Sequence, residues 1–487
     1  MRILLFLVLS FAGCAAFGRS ALHPHISEGN DSIKIYSDLS NIHLHVVIDS
    51  ILIEGNKITK PRIILRELSF KTGDSIPVYQ LSEMFSKSSE NLLKTSLFNF
   101  VTLSDSVLTA GDYSRIIVKI TVIERWYLWP FPIFEISDRN FNAWWKEKNF
   151  GKINYGLYLI KENMRGRMER LNLLIRFGYD ERYEISYDIP YINKKQTFGA
   201  GLGTGWRQNH EIAYKTIDNE LQTIRVENDY LFKHFYSYFQ ITHRPTLYQY
   251  HVLQINYNFY AFGDTILKLN PDYSFNNQST NEYVTLYYRF MTDHRDSKVY
   301  PLKGSLSQFE FTKSGFGLLK NGDISMMDLK GAYRKYIGLS NKFHLSVDLA
   351  AKISTNRDQP YFFQKGLGYD RNFVRGYELY VVDGPSYWVS KNTLKYSLIP
   401  TQVKTLGFIN SEKFNKIHYA VYLNGFFDAG YVDTYKNYDV NSLSNKLMLG
   451  GGFGLDIVTY YDLVFGVEFS INRSGDQGFF IHFKNTL

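Results

Sequence analysis

Three charged residues in the last third of the sequence, Arg375, Asp428 and Asp456, have the types and settings that could do chemistry. Arg375 follows a polar, glycine-containing segment, whereas each aspartate stands between apolar neighbours. Because successive side chains of a strand point to opposite faces, apolar neighbours on one face place an aspartate on the other. A guanidinium matches a carboxylate, and their charge-assisted bond offsets the cost of burying both groups. A buried ionic contact is one interpretation; the alternative is a solvated arginine with two aspartates that line a wet channel.

Residue sets typical of enzymes and metal sites are not identifiable in the sequence. It contains no Ser/His/Asp set, nucleophile elbow or paired catalytic carboxylate. His43 and His45 could share one face of an extended segment, but no third ligand with convincing spacing accompanies them. Glycines recur at every second position from Gly199 to Gly205 without a following helix, which argues against a dinucleotide-binding loop. We therefore predict no catalytic residues, no metal and no cofactor.

The composition favours β-structure in a membrane protein without spanning helices. Aromatic residues make up 17% of the 487 residues, whereas Pro (12) and Cys (1) are scarce. After the first residues there is no apolar run of about 18 residues, the length that a spanning helix needs. A β-barrel can still span, because it requires only alternate apolar residues. The 55 basic and 47 acidic residues are interspersed, so the net charge of +8 predicts no nucleic-acid partner.

Residues 1–20 are typical of a signal peptide, because Arg2 precedes an apolar run from Ile3 to Phe11 and small residues follow. This segment predicts export from the cytoplasm. The sole cysteine, Cys14, lies in the signal, so we expect no internal disulfide in the mature chain. Lipidation of Cys14 and ordinary removal of the signal both stay open. Residues 21–45 are polar and aperiodic, which predicts a flexible lead-in.

Residues 46–124 predict a small α+β domain with the element order β-α-α-β-β. A first strand is followed by a short helix, which begins at the capping residue Thr59 and ends near Gly73. A second helix with an apolar stripe and two further strands complete the domain. This order, together with the segments 53–59 and 66–74, resembles a polypeptide-transport-associated (POTRA) domain.

Residues 125–487 predict a barrel, with strands from about residue 131. Between Leu463 and Ile471 apolar and polar residues alternate, as in a strand with one face on lipid and the other on a lumen. Roughly sixteen or seventeen strands can be counted, depending on whether residues 220–247 form one strand or two. Because both ends of the barrel must lie on the same side of the membrane, the count is even. We predict a 16-stranded antiparallel transmembrane β-barrel.

The segment around Arg375 carries a second resemblance. It resembles the loop motif of the BamA/TamA superfamily of outer-membrane assembly and secretion proteins, also called the bacterial surface antigen family. The matching loop residues are Val374, Arg375, Gly376 and Tyr377. Phe426, Asp428 and Gly430 are similar to the superfamily's Phe-x-Asp-x-Gly strand. The resemblance implies that the loop folds back into the barrel, where Arg375 pairs with inner-wall carboxylates, for which we name Asp428 and Asp456.

The resemblance covers nearly the whole mature chain and implies a location and a set of partners. Phe479, Ile481 and Phe483 are similar to the C-terminal targeting strand of barrel proteins. The superfamily implies the outer membrane of a diderm bacterium, a periplasmic POTRA domain, and a seam between first and last strands where incoming polypeptide pairs with a strand edge. The implied partners are unfolded or nascent outer-membrane and secreted polypeptides, outer-membrane lipid and periplasmic accessory proteins.

Three functions stay open at this stage. The first is insertion or assembly of outer-membrane proteins, the second is a pore that secretes one dedicated partner, and the third is a passive channel. The predicted single POTRA domain differs from the several domains of the general insertase. The sequence names neither a client nor an accessory subunit.

Overall fold

The computed structural model describes residues 45–110, 113–136, 153–227, 229–319, 324–369, 372–407, 409, 411, 415–435, 440–459 and 463–484. The predicted signal peptide, with Cys14, and all but the last residue of the predicted lead-in lie outside the described residues. The chain divides into two units, residues 45–168 with 176–179 and residues 169–175 with 180–484, and each is described by itself.

The first unit begins with a four-stranded sheet and two helices. Its elements are β1 (His45–Glu54), α1 (Pro61–Arg66), β2 (Ser75–Pro77), α2 (Val78–Lys94), β3 (Phe98–Ala110) and β4 (Tyr113–Glu124). The strand order is β2-β1-β4-β3, in which β1 is parallel to β4 and the other pairs are antiparallel. The predicted order β-α-α-β-β is therefore present, with the short β2 added between the helices.

Apolar side chains from both helices and the sheet form the core of this domain. Ile64 in α1 and Leu92 in α2 are fully buried, as expected where a small domain must bury most of its apolar surface. The first helix is shorter than predicted, because it runs over Pro61–Arg66 rather than from Thr59 to near Gly73. Proline fits the first helical position, where its missing N–H leaves no hydrogen bond unmade.

Sixteen strands form one antiparallel sheet in which neighbours along the chain are neighbours in the sheet. They are β5 (Leu128–Ile136), β6 (Ile153–Met164), β7 (Glu169–Gly178), β8 (Asp180–Ile189), β9 (Phe198–Asn209), β12 (Phe232–His243), β13 (Gln249–Phe262), β14 (Thr280–Asp293), β15 (Gly304–Ser314), β16 (Met326–Gly338), β17 (Phe343–Ser354), β20 (Ser386–Thr405), β21 (Lys416–Asp433), β22 (Met448–Thr459), β23 (Leu463–Asn472) and β24 (Gln477–Lys484). The predicted 16-stranded antiparallel β-barrel is confirmed.

Shorter elements lie in the connections between these strands. They are the hairpin β10 (Glu211–Ile217) and β11 (Glu220–Arg225), the ribbon β18 (Lys365–Leu367) and β19 (Val382–Asp383), and α3 (Asp264–Leu269). Residues 220–247 form neither one long strand nor two barrel strands. They divide between β11, which pairs with β10 outside the large sheet, and β12, which belongs to it. The segment therefore contributes a single strand to the barrel, as the count of sixteen requires, but its first part pairs with β10 instead of extending that strand.

Inward and outward faces alternate along the barrel strands as the sequence pattern predicts. In β21, Phe427 is 56% exposed, whereas its neighbours Phe426 and Asp428 are buried. In β23, Leu463 and Ile471 are exposed, whereas Glu468 is buried. This alternation is the pattern of a strand with one face toward lipid and the other toward the barrel interior. Among the described residues, no helix has the length and apolar character that crossing a membrane requires.

Candidate functional site

The connection between β17 and β20, residues 355–385, holds Arg375 in a tight turn. The N–H of Tyr377 donates to the carbonyl of Val374 at 3.0 Å, which closes a four-residue turn with Arg375 and Gly376 at its centre. Gly376 has φ +96°, a left-handed conformation that glycine adopts without strain. We call Val374–Tyr377 the Arg375 turn.

Arg375 contacts Asp428 on the inner face of β21 through two nitrogens on one edge of its guanidinium. Its Nε donates to Oδ2 of Asp428 at 2.8 Å and its Nη2 donates to Oδ1 at 2.7 Å. The backbone N–H of Arg375 also donates to Oδ2, at 3.2 Å. Asp428 is 0% exposed. The predicted neighbours are therefore brought together as a bidentate buried pair, the strongest geometry available to these two groups.

Other groups complete the surroundings of the guanidinium. Its Nη2 donates to the hydroxyl of Thr393 on β20 at 2.9 Å, and its Nη1 lies 3.6 Å from Oε1 of Glu468 on β23. The ring of Phe426 lies under the guanidinium, with 3.8 Å from Cζ to the ring centroid, a cation–π geometry that stabilises a partly desolvated cation. The β17–β20 connection therefore contacts three strands, β20, β21 and β23, through Arg375.

Asp456 does not contact Arg375, and this part of our prediction is wrong. Its Oδ2 accepts a hydrogen bond from the hydroxyl of Tyr300 at 2.8 Å. Tyr300 belongs to the connection between β14 and β15, and the Lys395 ammonium lies 3.7 Å from the centroid of its ring. The second carboxylate beside Arg375 is instead Glu468. Asp456 therefore binds a residue of the β14–β15 connection, a contact that the sequence did not predict.

Two glycines give the Arg375 turn room to approach the wall. A Cβ added at Gly430 of β21 would come 2.6 Å from Cγ2 of Val374. A Cβ added at Gly450 of β22 would overlap the carbonyl oxygen of Arg375. A larger residue at Gly450 must push the turn away, because it meets backbone, whereas at Gly430 it meets the side chains of Val374 and Leu367. Gly430, predicted as part of the strand motif, therefore acts by being small.

An apolar cluster packs the rest of the connection against the same wall. Its buried members are Leu367, Val374, Tyr377, Val382, Tyr387, Val389, Val432 and Met448. They come from the connection and from β20, β21 and β22, so the turn is held by burial of apolar surface as well as by the ionic contact. The arrangement can hold a loop inside the barrel; among its described residues we identify no nucleophile beside a base.

The predicted C-terminal strand is β24, the last in the sheet order. Phe479 and Ile481 are 76% and 61% exposed, on the outward face. Phe483 pairs with Phe465 of β23 through the backbone, and its side chain lies outside the described part of the chain. The role of these residues in targeting stays a prediction.

A second buried polar cluster lies in the first unit. Glu124 at the end of β4 accepts hydrogen bonds at Oε1 from the N–H groups of Ile58 (3.1 Å) and Thr59 (2.7 Å) and from the Thr59 hydroxyl (2.7 Å). The same hydroxyl accepts a bond from Nδ2 of Asn163 in β6 at 2.9 Å and lies 3.1 Å from the Tyr127 hydroxyl. Burial raises the pKa of Tyr127. The cluster therefore joins the POTRA-like domain to the end of β6.

Sequence reasoning missed several of these residues for different reasons. Glu468 alternates with apolar residues in β23, so the pattern placed it on the inner face but gave no sign of its partner. Thr393 and Tyr300 carry no distinctive motif. Glu124 binds mainly backbone N–H groups, which every residue except proline has. Among these residues, Glu468 had the clearest sequence signal, because a carboxylate on the inward face of a strand requires a partner.

The comparisons with known proteins agree with this fold. Residues 163–461 match the family model of the Omp85 superfamily domain. BamA from Haemophilus ducreyi lacking POTRA domains 1–3 is similar at 13% identity and a TM-score of 0.51, over 90% of this chain and 84% of that chain. CdiB from Escherichia coli is similar at 13% identity and a TM-score of 0.53, over 91% of this chain and 76% of that one. No curated protein sequence matches the chain.

These likenesses carry different weight. The two solved structures show the fold alone, because their identity to this chain is low. The family match is broader, since it covers well over half of the chain and includes both the Arg375 turn and Asp428. The protein therefore belongs to the Omp85 superfamily and is an outer-membrane β-barrel.

Proposed function

We propose that this barrel captures extended polypeptides and inserts them into, or passes them across, the outer membrane, without catalysing a reaction. The terminal strands of the sheet order, β5 and β24, support the physical mechanism. The free N–H and C=O groups of a strand edge select an extended chain, because such a chain completes the ladder of hydrogen bonds. In this proposal β5 and β24 form the seam that admits the client.

The observation that carries the proposal is the buried contact between Arg375 and Asp428. A loop that is fixed to the inner wall by a bidentate ion pair narrows the lumen, which argues against an open passive channel. Tyr300 adds to this argument, since its connection also reaches the inner wall. The connections that hold Arg375 and Tyr300 leave the antiparallel sheet at opposite ends of its strands. A barrel occupied from both ends fits a polypeptide-handling machine better than an open pore.

The domain boundaries follow the same proposal. Residues 1–20 act as the export signal, residues 46–124 act as a periplasmic POTRA domain that receives clients, and residues 125–487 form the barrel. The cluster around Glu124 supports a fixed attachment of the domain to the end of β6, which would deliver a client close to the first strands. Periplasmic accessory proteins and outer-membrane lipid are the further partners that we propose.

Photocrosslinking tests the capture step. A photoreactive phenylalanine analogue is placed at Phe479 in β24 or, as the matched control, at Phe427 in β21. Both side chains are exposed on the outward face, but β21 is paired on both edges, with β20 and β22. We expect polypeptide crosslinks in cells from Phe479 and none from Phe427. Equal crosslinking from both positions, or none from either, would contradict capture at the end of the sheet.

The crosslinked partners decide between the two forms of the function. Crosslinks from the position of Phe479 to many different outer-membrane barrel proteins indicate an insertase. A single secreted protein indicates a dedicated secretion pore. A cysteine pair that joins β5 to β24 should then stop insertion but spare export through the lumen, since only insertion requires the seam to open.

A further inference from the structure

Beside the Arg375 turn lies a cluster of three side chains that shares only Glu468 with the surroundings of Arg375. Glu378 comes from the β17–β20 connection, Glu468 from β23 and His482 from β24. One oxygen of each carboxylate and one imidazole nitrogen lie within 4.8 Å of one another. Three segments that are distant in the sequence therefore direct three groups of metal-ligand type to one point. The sequence predicts no metal site, because the spacing of these residues along the chain does not reveal that they meet.

The spacing of two of the donors is that of ligands on a common cation. Nε2 of His482 lies 3.2 Å from Oε2 of Glu468. A tetrahedral cation with ligand bonds of about 2.0–2.1 Å separates its ligands by about 3.3 Å. The third donor, a carboxylate oxygen of Glu378, lies within 4.8 Å of both.

Two donors of the cluster lack hydrogen bonds although they are buried. Oε1 of Glu378 and Nε2 of His482 are inaccessible to solvent and make no hydrogen bond among the described residues, since the 3.2 Å contact of Nε2 with Glu468 lacks hydrogen-bond geometry. The other oxygen of Glu378 accepts from the N–H of Gly376 at 2.8 Å, which fixes the carboxylate and leaves Oε1 for another partner. Buried polar atoms are normally satisfied, and an ion that binds there is one explanation of such an exception.

The nearby positive charge of Arg375 does not occupy the same position. Arg375 approaches the other oxygen of Glu468, Oε1, at 3.6 Å, whereas Oε2 faces His482. The guanidinium is also neutralised by its bidentate contact with Asp428. A cation between the three side chains therefore faces two carboxylates and an imidazole, with the charge of Arg375 already balanced.

We propose that Glu378, Glu468 and His482 bind a divalent transition-metal cation, for which Zn²⁺ is the probe. Mixed imidazole and carboxylate ligands suit this class of ion, and three protein ligands leave a fourth position for water. The His482 side chain is 26% exposed, which gives an ion a route to the cluster. The bound cation would fasten the β17–β20 connection to the last two strands. That this regulates client entry at β24 rests on the proposed function; the metal site itself does not.

The test uses the full mature chain in detergent or nanodiscs, without a polyhistidine tag and after treatment with a chelator. Zn²⁺ is titrated by calorimetry, and the bound metal is counted by mass spectrometry. We expect one Zn²⁺ per chain and at least about tenfold weaker binding in His482→Gln and in Glu378→Gln. His251→Gln is the control, because this β13 imidazole lies 2.9 Å from the Tyr288 hydroxyl, outside the cluster. Heat-modified electrophoretic mobility checks that each variant is folded.

The proposal is overturned if the wild-type chain shows no saturable Zn²⁺ binding, or if both variants bind as tightly as the wild type. A His482 that only contacts Glu468 and binds no ion would give the first of these results. If one variant does not fold, the other one decides. The binding measurement needs no client, so a failure of the metal site and a failure of polypeptide capture are separate outcomes.

Discussion

Asp428 in the barrel and Glu124 in the first unit are both buried carboxylates, but they are satisfied by different kinds of partner. Asp428 receives a forked guanidinium from a connection more than fifty residues earlier in the chain, as well as the backbone N–H of Arg375. Glu124 receives backbone N–H groups and a hydroxyl from Ile58 and Thr59. One contact joins full charges, and the other joins a charge to neutral dipoles.

The difference determines what happens when each contact is broken. If a buried ion pair loses one partner, the other is left as an uncompensated buried charge. The loop with Arg375 is therefore stable only in the position in which Arg375 contacts Asp428. A carboxylate that accepts hydrogen bonds from several neutral donors can lose them one at a time. Each loss lowers the free energy of unfolding by only a moderate amount. The ion pair suits a loop that must occupy one position, whereas the hydrogen bonds of Glu124 suit a permanent contact between two segments. The predictions that follow test this contrast.

The largest effect is expected for Asp428→Ala. It leaves the Arg375 guanidinium buried without its carboxylate, so the free energy of unfolding should fall by about 3–5 kcal/mol. Urea unfolding in lipid vesicles, followed by tryptophan fluorescence, measures this loss. The double variant Arg375→Met, Asp428→Leu should recover most of it, because no charge is left unpaired. A double variant as unstable as Asp428→Ala would show that packing, rather than charge, holds the turn.

The next largest effect is expected for Gly450→Ala, which leaves the ion pair chemically intact. The added methyl group would overlap the Arg375 carbonyl oxygen, so the turn must move away, at about 2 kcal/mol. Gly425→Ala is the matched control, because a Cβ at that position of β21 meets no atom within 4 Å. Limited proteolysis should cut the β17–β20 connection faster in Gly450→Ala alone. Equal cutting in both variants would mean that the turn does not need this close approach.

A smaller loss, about 1.5 kcal/mol, is expected for Glu124→Ala, which leaves the N–H groups of Ile58 and Thr59 without their acceptor. Glu124→Gln keeps an acceptor oxygen and should lose about half as much. Amide hydrogen exchange at Ile58 and Thr59 reports the change directly. If Glu124→Gln destabilises as much as Asp428→Ala, the negative charge matters equally in both clusters and the contrast fails.

The smallest effect, about 1 kcal/mol, is expected for Thr393→Val, which removes one hydrogen bond to the guanidinium but leaves the contact with Asp428. Thr393→Ser keeps the hydroxyl and serves as the control. The two variants are compared by the same urea unfolding. A loss in Thr393→Val as large as in Asp428→Ala would show that the hydroxyl, rather than the carboxylate, holds Arg375 in place.

The sequence predicted the barrel well, because alternation of apolar and polar residues is a direct consequence of strand geometry. It also brought Arg375 and Asp428 together, through a motif that resembles a known loop and through the inward face of a strand. It assigned Asp456 to the wrong partner. Alternation of apolar and polar residues predicts that a side chain points into the barrel. It does not predict which connection contacts that side chain.

The clusters around Glu124 and His482 were beyond sequence reasoning for physical reasons. Glu124 is satisfied mainly by backbone groups of Ile58 and Thr59, which leave no trace in residue types. Glu378, Glu468 and His482 meet only because the β17–β20 connection folds back onto the last strands, so their spacing along the chain resembles no metal-binding motif. Both clusters depend on the register between distant segments, which the hydrophobic pattern alone does not fix.

The contacts of Tyr300 and Arg375 with one wall also have an electrical consequence. Barrels of about sixteen strands with an unobstructed lumen leave an aqueous channel through which ions flow. Here chain segments from both ends are fixed against the inner wall, so the cross-section left for ions is smaller than the number of strands alone would give. We therefore expect a smaller ionic conductance than that of an open barrel with the same number of strands.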